Sequence, residues 1–258
     1  MQDRRNMINR KASAAVHYAL WHYLSKMIKP VLVAEYPKSG GTWYCQMLAH
    51  YLQLPYPRNH MPALKKSVLH SHYTYSSSFF KPHCVVRDGR DVMVSYYHHM
   101  YFGNSILPEW VFEYYRTRAP FKDFENVEKN MPAYIEYMFT KHMMQGKVVT
   151  WKSFLHSYLD KPSVTFVKYE DLLEDREKWI RYINERCHIN SPERIIRKTV
   201  EKTSFETMSG RNHGVEDAKS HQRKGISGDW KNHFTEKHMQ IFREMGGEEF
   251  LRSVGYSL

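Results

Sequence analysis

The chain has 258 residues, 42% of them hydrophobic and 15% aromatic, enough to bury the core of one large α/β domain or two small ones. Its 38 Lys and Arg against 27 Asp and Glu give a formal charge of +11, which suits an anionic partner: nucleic acid, a membrane surface or a small polyanion. The three scattered cysteines, Cys45, Cys84 and Cys187, argue against a disulfide framework and for a reducing compartment.

Residues 1–30 hold the only targeting candidate. The apolar run from Ala12 to Leu24 is interrupted by His17 and His22 and soon meets Lys26. A membrane span needs roughly 20 apolar residues, and no signal cleavage site follows. An amphipathic helix packed on the domain is expected, in a soluble, cytoplasmic protein without a membrane anchor.

Short valine-rich runs at 31–36, 68–73, 83–86 and 164–167 predict buried strands. Helical patterns follow at 42–54 and 91–102, then at 110–116, 133–144, 149–159, 180–187, 193–202 and 236–251. Strands alternating with helices predict an α/β fold: a mostly parallel central sheet flanked by helices. No repeat or linker is visible, so one domain over 1–258 is expected. Residues 209–232, rich in Gly, Lys, Arg, His and Asn, break the pattern and read as a mobile surface loop or a lid over a ligand.

Three segments carry chemistry. The first, Tyr36-Pro37-Lys38-Ser39-Gly40-Gly41-Thr42-Trp43, lies between the first strand and a helix. Unpaired N–H groups at a helix start attract an anion, glycines let the backbone approach it, and Lys38, Ser39 and Thr42 add charge and donors. An ordinary turn with Thr42 as a helix cap is the plain alternative. The lysine precedes the glycines, the reverse of a Walker A loop. The second segment is Arg87-Asp88-Gly89-Arg90-Asp91 and the helix to Ser95, where Arg87 suits a phosphate as a bidentate fork, unless these charges merely pair with one another. The third, Arg223-Lys224-Gly225-Ile226-Ser227-Gly228-Asp229-Trp230, offers two cations beside an accessible N–H, or a solvated basic loop.

Together, in this order, the three segments resemble the sulfotransferases that use 3′-phosphoadenosine 5′-phosphosulfate (PAPS), and most closely their cytosolic small-molecule branch. The resemblance implies that Lys38, Ser39, Gly40, Gly41 and Thr42 hold the 5′ end of PAPS and that Trp43 stacks on adenine. It implies that Arg87, Ser95, Arg223, Lys224 and Gly225 hold the 3′-phosphate, and that Tyr169, Thr203 and Phe205 contact the adenosine half. For Trp43 and Phe205, plain core burial is the alternative. His72 matches the family's catalytic base, and an imidazole suits proton abstraction near pH 7. Lys38 would stabilise charge on the leaving oxygen. The implied reaction is in-line sulfuryl transfer to a hydroxyl, or an amine, of a small-molecule acceptor, without a metal.

Gly41 stands where many members of the family have threonine; its hydroxyl is lost, and the backbone N–H is expected to remain for the anion. His70 stands at a usual lysine position. His70 and His72, two residues apart on a strand, share a face and invite a metal reading, but no third ligand is visible in the sequence. The family's dimer signature is degraded around Lys231 to Gln240, so oligomeric state is left open. The aromatic- and Met-rich stretches 96–118 and 132–147 suit either an acceptor pocket for an aromatic molecule or helix core. A metal-dependent nucleotide kinase or hydrolase, and a noncatalytic nucleotide or nucleic-acid binder, are the competing functions. The first lacks its G-K-[ST], and the second lacks a basic stripe with interleaved aromatics, so no nucleic-acid partner is expected.

Overall fold

The structure, a computed structural model, describes residues 2–58, 60–102, 108–144, 146–186, 191–217, 220 and 223–257. The chain opens with α1 (Gln2–His22), α2 (Ser25–Ile28), β1 (Val31–Glu35), α3 (Gly41–Leu52), β2 (Val68–Ser71) and β3 (His83–Val86). It continues with α4 (Gly89–Tyr101), α5 (Glu109–Arg116), α6 (Val127–Thr140), β4 (Met143–Met144), β5 (Lys147–Val148) and α7 (Trp151–Tyr158). Then come β6 (Thr165–Lys168), α8 (Tyr169–Glu174), α9 (Arg176–Arg186), α10 (Glu193–Lys202) and α11 (Phe205–Ser209). A 3-10 turn (Asp229–Asn232), α12 (Glu236–Glu244) and α13 (Gly247–Ser253) close it.

Two compact units are distinguishable: Met1–Val86 with Asp160–Ser204, and Arg87–Leu159 with Phe205–Leu258. The first contains the central sheet, in the order β2-β1-β3-β6 with every neighbour parallel. All four predicted strands are present, each within about two residues of its expected ends. Parallel strands are covered on both faces, which is why they read as continuous apolar runs. Val33, Val85 and Val167 meet Tyr44, Leu48 and Tyr51 of α3 and Ile180, Ile183 and Ile196 of α9 and α10. Each such side chain contributes roughly 1.5–3 kcal/mol through burial. Helix α1 buries Leu20 and Trp21, the latter edge-on to Phe79 at 4.9 Å, so its last turns pack on this unit. Among the described residues, no helix is long and apolar enough to cross a membrane.

The second unit is mainly helical. Tyr97 stacks on Phe121 and Tyr101 on Phe124, while Tyr134 meets both tyrosines edge-on. Gly89 begins α4 against the Trp151 ring, where a Cβ would stand 2.7 Å from ring carbons. Two helices depart from expectation here. The pattern at 133–144 predicted a helix starting after Pro132, yet α6 starts at Val127 and carries Pro132 inside, capped by Asn126 accepting from the Lys129 N–H at 3.2 Å. It stops at Thr140, and the remainder pairs as the short antiparallel β4–β5 ladder. The run 236–251 is two helices, because Gly246 turns left-handed (φ 73°) between them.

Candidate active site

Within the first unit, β1 runs into the Lys38 loop and then α3. The loop is contorted: Lys38 has φ 73° and Gly40 φ 97°. A lysine in the left-handed region costs roughly 1–2 kcal/mol, a strain commonly found where a loop is shaped for a ligand. Gly40 is needed twice over, since a Cβ there would also lie 2.5 Å from the Tyr169 ring. Ser39 is buried, and its hydroxyl has no hydrogen-bond partner among the described residues. An orphaned buried donor beside the start of α3 fits a loop built to hold an anionic group.

Glu35, the last residue of β1, is 4% exposed and organises what surrounds it. Its Oε2 accepts the Gly41 N–H at 2.5 Å and its Oε1 accepts from His70 Nε2 at 2.9 Å. The Gly41 N–H, expected to remain open to the anion, is therefore committed to a carboxylate. Burial alone would raise the Glu35 pKa; the hydrogen bond and charge of His70, aided by His72 and the Gly41 N–H, overcome it and hold the group at about 2.

His72 Nδ1 lies 2.9 Å from the backbone carbonyl of Glu35. A carbonyl only accepts, so Nδ1 carries the proton and Nε2 keeps its lone pair. Burial, then the charge of His70, lowers the His72 pKa; Glu35 opposes this in part. The imidazole is thus neutral at pH 7, the form a general base requires. Glu35, His70 and His72 place ligand-capable atoms within 4.8 Å of one another, so the third group that the sequence did not reveal for a metal is present. The Glu35 and His70 atoms are already hydrogen-bonded to each other.

Trp43, Tyr169 and Thr203 come together in the same unit. The Trp43 indole N–H donates to the Thr203 carbonyl at 2.7 Å, and its ring meets Tyr169 edge-on at 5.7 Å. Thr203 is fully buried and donates its hydroxyl to the Thr199 carbonyl in α10 at 2.7 Å. That hydroxyl serves the helix end, while the carbonyl of the same residue holds the Trp43 indole.

In the second unit, the segments around Arg87 and Arg223 interlock. Arg87 Nη2 donates to the Ile226 carbonyl at 2.9 Å. Asp91 accepts the Gly228 N–H at 2.7 Å and the Trp230 N–H at 2.9 Å, and the Arg90 guanidinium lies 3.9 Å above the Trp230 ring while pairing with Asp88. Ser95, buried, follows Asp91 by one helical turn on the same side of α4. Gly225 (φ 69°) lies on the Phe205 ring, too close for any Cβ. Thus Arg87, Arg223, Lys224, Gly225 and Phe205 share one neighbourhood. Arg223 and Lys224 are not bare cations, however. Arg223 pairs with Asp229 and, at 2.6 Å, with Glu216; Lys224 meets Asp229 at 2.9 Å and Glu216 at 3.2 Å. Asp229 would be raised by burial, but its bonds to His233, Lys224 and Arg223 hold it far below the usual carboxylate range. Two cations thus face two carboxylates, and an incoming anion must compete with the latter.

Of the aromatic stretches read as acceptor pocket or helix core, Tyr97, Tyr101, Phe112, Tyr134 and Met138 are buried as core, whereas Trp110 is exposed. Tyr97 donates to the Phe124 carbonyl and accepts from Asn130, within the stacked cluster already described. Residues 103–107 of that stretch lie outside the described residues. A cleft of about 510 Å³, lined by Val31, Leu48, Tyr51, Leu54, Ile183 and Ile195, opens at the N-terminal end of β1, away from the Lys38 loop.

The sulfotransferase domain family model matches residues 56–253, about three quarters of the chain. The chain belongs to the sulfotransferase domain family. The match begins after the Lys38 loop, so that loop is read on its own geometry. Among curated sulfotransferases, the chain is 26% identical to Sulfotransferase 1 family member D1 of Mus musculus over 90% of this chain and 87% of that one. It is 27% identical to Sulfotransferase 1C2 of Homo sapiens over 83% and 81%. The fold matches mouse sulfotransferase SULT7A1, solved with PAP (3′-phosphoadenosine 5′-phosphate), with a TM-score of 0.65, 20% identity and coverage of 92% and 90%. It also matches a retinol dehydratase solved with androsterone and PAP, with a TM-score of 0.64, 16% identity and coverage of 96% and 88%. The chain is a sulfotransferase, with the mostly parallel sheet that the sequence predicted.

Sequence reasoning passed over three acidic residues of this sulfotransferase. Glu35 was visible as a charge ending an otherwise apolar strand. Asp91 and Asp229 stood inside motifs valued for their cations.

Proposed function

We propose that the chain transfers the sulfuryl group of PAPS to a hydroxyl of a small-molecule acceptor, with His72 as general base. The observation that carries this is the tautomer of His72: Nδ1–H is tied to the Glu35 carbonyl, and Nε2 is left as a basic lone pair. The acceptor hydroxyl gives its proton to Nε2 as its oxygen bonds to sulfur. The bond from sulfur to the bridging oxygen breaks, and that oxygen departs with PAP, its charge met by Lys38.

Lys38, Ser39, Gly40 and Thr42 take the 5′ end in this reading, supported by the orphaned Ser39 hydroxyl and the strained loop. Gly41 serves it mainly as backbone without bulk. Arg87, Ser95, Arg223, Lys224 and Gly225 take the 3′-phosphate; Trp43, Tyr169, Thr203 and Phe205 border the adenosine. PAP in the solved structural neighbours supports this choice of co-substrate. The reaction assigns no role to a metal, and a cytoplasmic setting is part of the same proposal. The test is substitution His72→Ala, which should remove nearly all turnover while leaving PAP affinity within a few-fold. Loss of binding together with activity would contradict the assignment.

A further inference from the structure

Glu35 bonds to both histidines of β2 and its end: through its side chain to His70 and through its backbone to His72. The same carboxylate holds the first N–H of α3. A charged residue at a buried position of a parallel strand persists only when its oxygens are satisfied, and here each oxygen has a donor.

Gly41 completes the arrangement. A Cβ at that position would lie 2.6 Å from Glu35 Cδ, 2.9 Å from Glu35 Cγ and 2.9 Å from His70 Nε2. No side chain fits at 41 while Glu35 and His70 occupy their places. The glycine is therefore explained by the carboxylate and imidazole rather than by backbone conformation, since Gly41 is not among the positive-φ residues.

We propose that Glu35 is a positioning residue for sulfuryl transfer, holding His70, His72 and the first turn of α3 in one buried network that requires glycine at position 41. The inference rests on the sulfotransfer reading above. A carboxylate of this kind accepts only, so it fixes the His70 proton on Nε2. The His70 ring then stands with its centroid 5.0 Å from that of His72, edge to face, beside the base it helps to orient. His17 of α1 also borders His70.

The test combines spectroscopy and kinetics. In a long-range ¹H–¹⁵N spectrum of histidine-labelled protein with PAP at pH 7, His70 should be protonated at Nε2. In Glu35→Gln, the amide oxygen keeps the Gly41 N–H and the NH2 faces His70, so the proton should move to Nδ1. With PAPS and 2-naphthol as probe acceptor, E35Q should lose about tenfold or more in kcat while the KM for PAPS stays within threefold. Gly41→Ala alone should lose at least as much, and the pair E35A/G41A should be no worse than E35A, because the methyl enters room the carboxylate has left and the His70 ring, no longer tied to it, can give way. Three results would overturn the proposal: a wild-type His70 bare at Nε2, an E35Q enzyme within twofold of wild type in kcat, or E35A and G41A losses that simply multiply. The spectrum needs no turnover and no variant, so it decides the network even if a substitution fails to fold. A wild type that neither binds PAP nor consumes PAPS would overturn the sulfotransfer reading separately.

Discussion

The backbone carbonyl of Glu35 and the Nδ1–H of His72 are 2.9 Å apart, and this contact sets the chemistry available to the imidazole. The donor nitrogen is used up, and the other nitrogen is a base at neutral pH.

His72→Asn should reduce kcat by about 100-fold or more, the usual contribution of a positioned general base. Its PAP affinity, read by calorimetry, should change less than threefold. In the wild type, the acidic limb of kcat/KM should lie below pH 6.5. The groups facing His72 are His70, His17 and Glu35; burial and the charge of His70 lower its pKa, and Glu35 only partly restores it. A limb above 6.5 would contradict this environment.

Glu35 should leave a signature in acid. Its carboxyl is held at about 2 in the folded chain against an ordinary 4.5. A depressed carboxyl contributes stability above its unfolded value and loses it as pH falls through the folded one. The window is therefore about pH 4.5 down to 2, worth about 3 kcal/mol for a shift of this size. Denaturant unfolding of E35Q should lack that slope within the window.

The carboxylates around Arg223 and Lys224 should restrain anion binding. Glu216→Gln removes an exposed acid that pairs with both cations, and it should tighten PAP several-fold. Arg223→Ala should weaken PAP about tenfold or more while changing adenosine 5′-phosphate far less. Equal weakening of both nucleotides would show that this loop binds something other than a 3′-phosphate.

A chelator should leave turnover unchanged, because the proposed transfer uses only side chains and backbone N–H groups. Loss of activity in EDTA, restored by a divalent ion, would instead assign Glu35, His70 and His72 as ligands.

Much of this was legible in the sequence. The parallel strands announced themselves because burial on both faces leaves unbroken runs such as Val31 to Ala34. The loops announced themselves through glycines and cations: Gly40 and Gly225 sit where both backbone conformation and a neighbouring ring exclude a side chain. What stayed hidden was acidic and long-range. Glu35 reaches Gly41 and His70 across 6 and 35 residues, and Asp91 reaches Trp230 across 139, separations no local pattern reports. Pro132 hid the true start of α6, since an interior proline reads as a boundary. The acceptor site left the faintest trace in the sequence, because Tyr97 and Tyr101, which the pattern offered as pocket lining, instead stack on Phe121 and Phe124.

The central claim is tested most directly by calorimetric titration with PAP, adenosine 5′-phosphate and magnesium-ATP in turn. The account predicts tight binding of PAP that is lost when the 3′-phosphate is absent. A preference for magnesium-ATP, or no nucleotide binding at all, would contradict it.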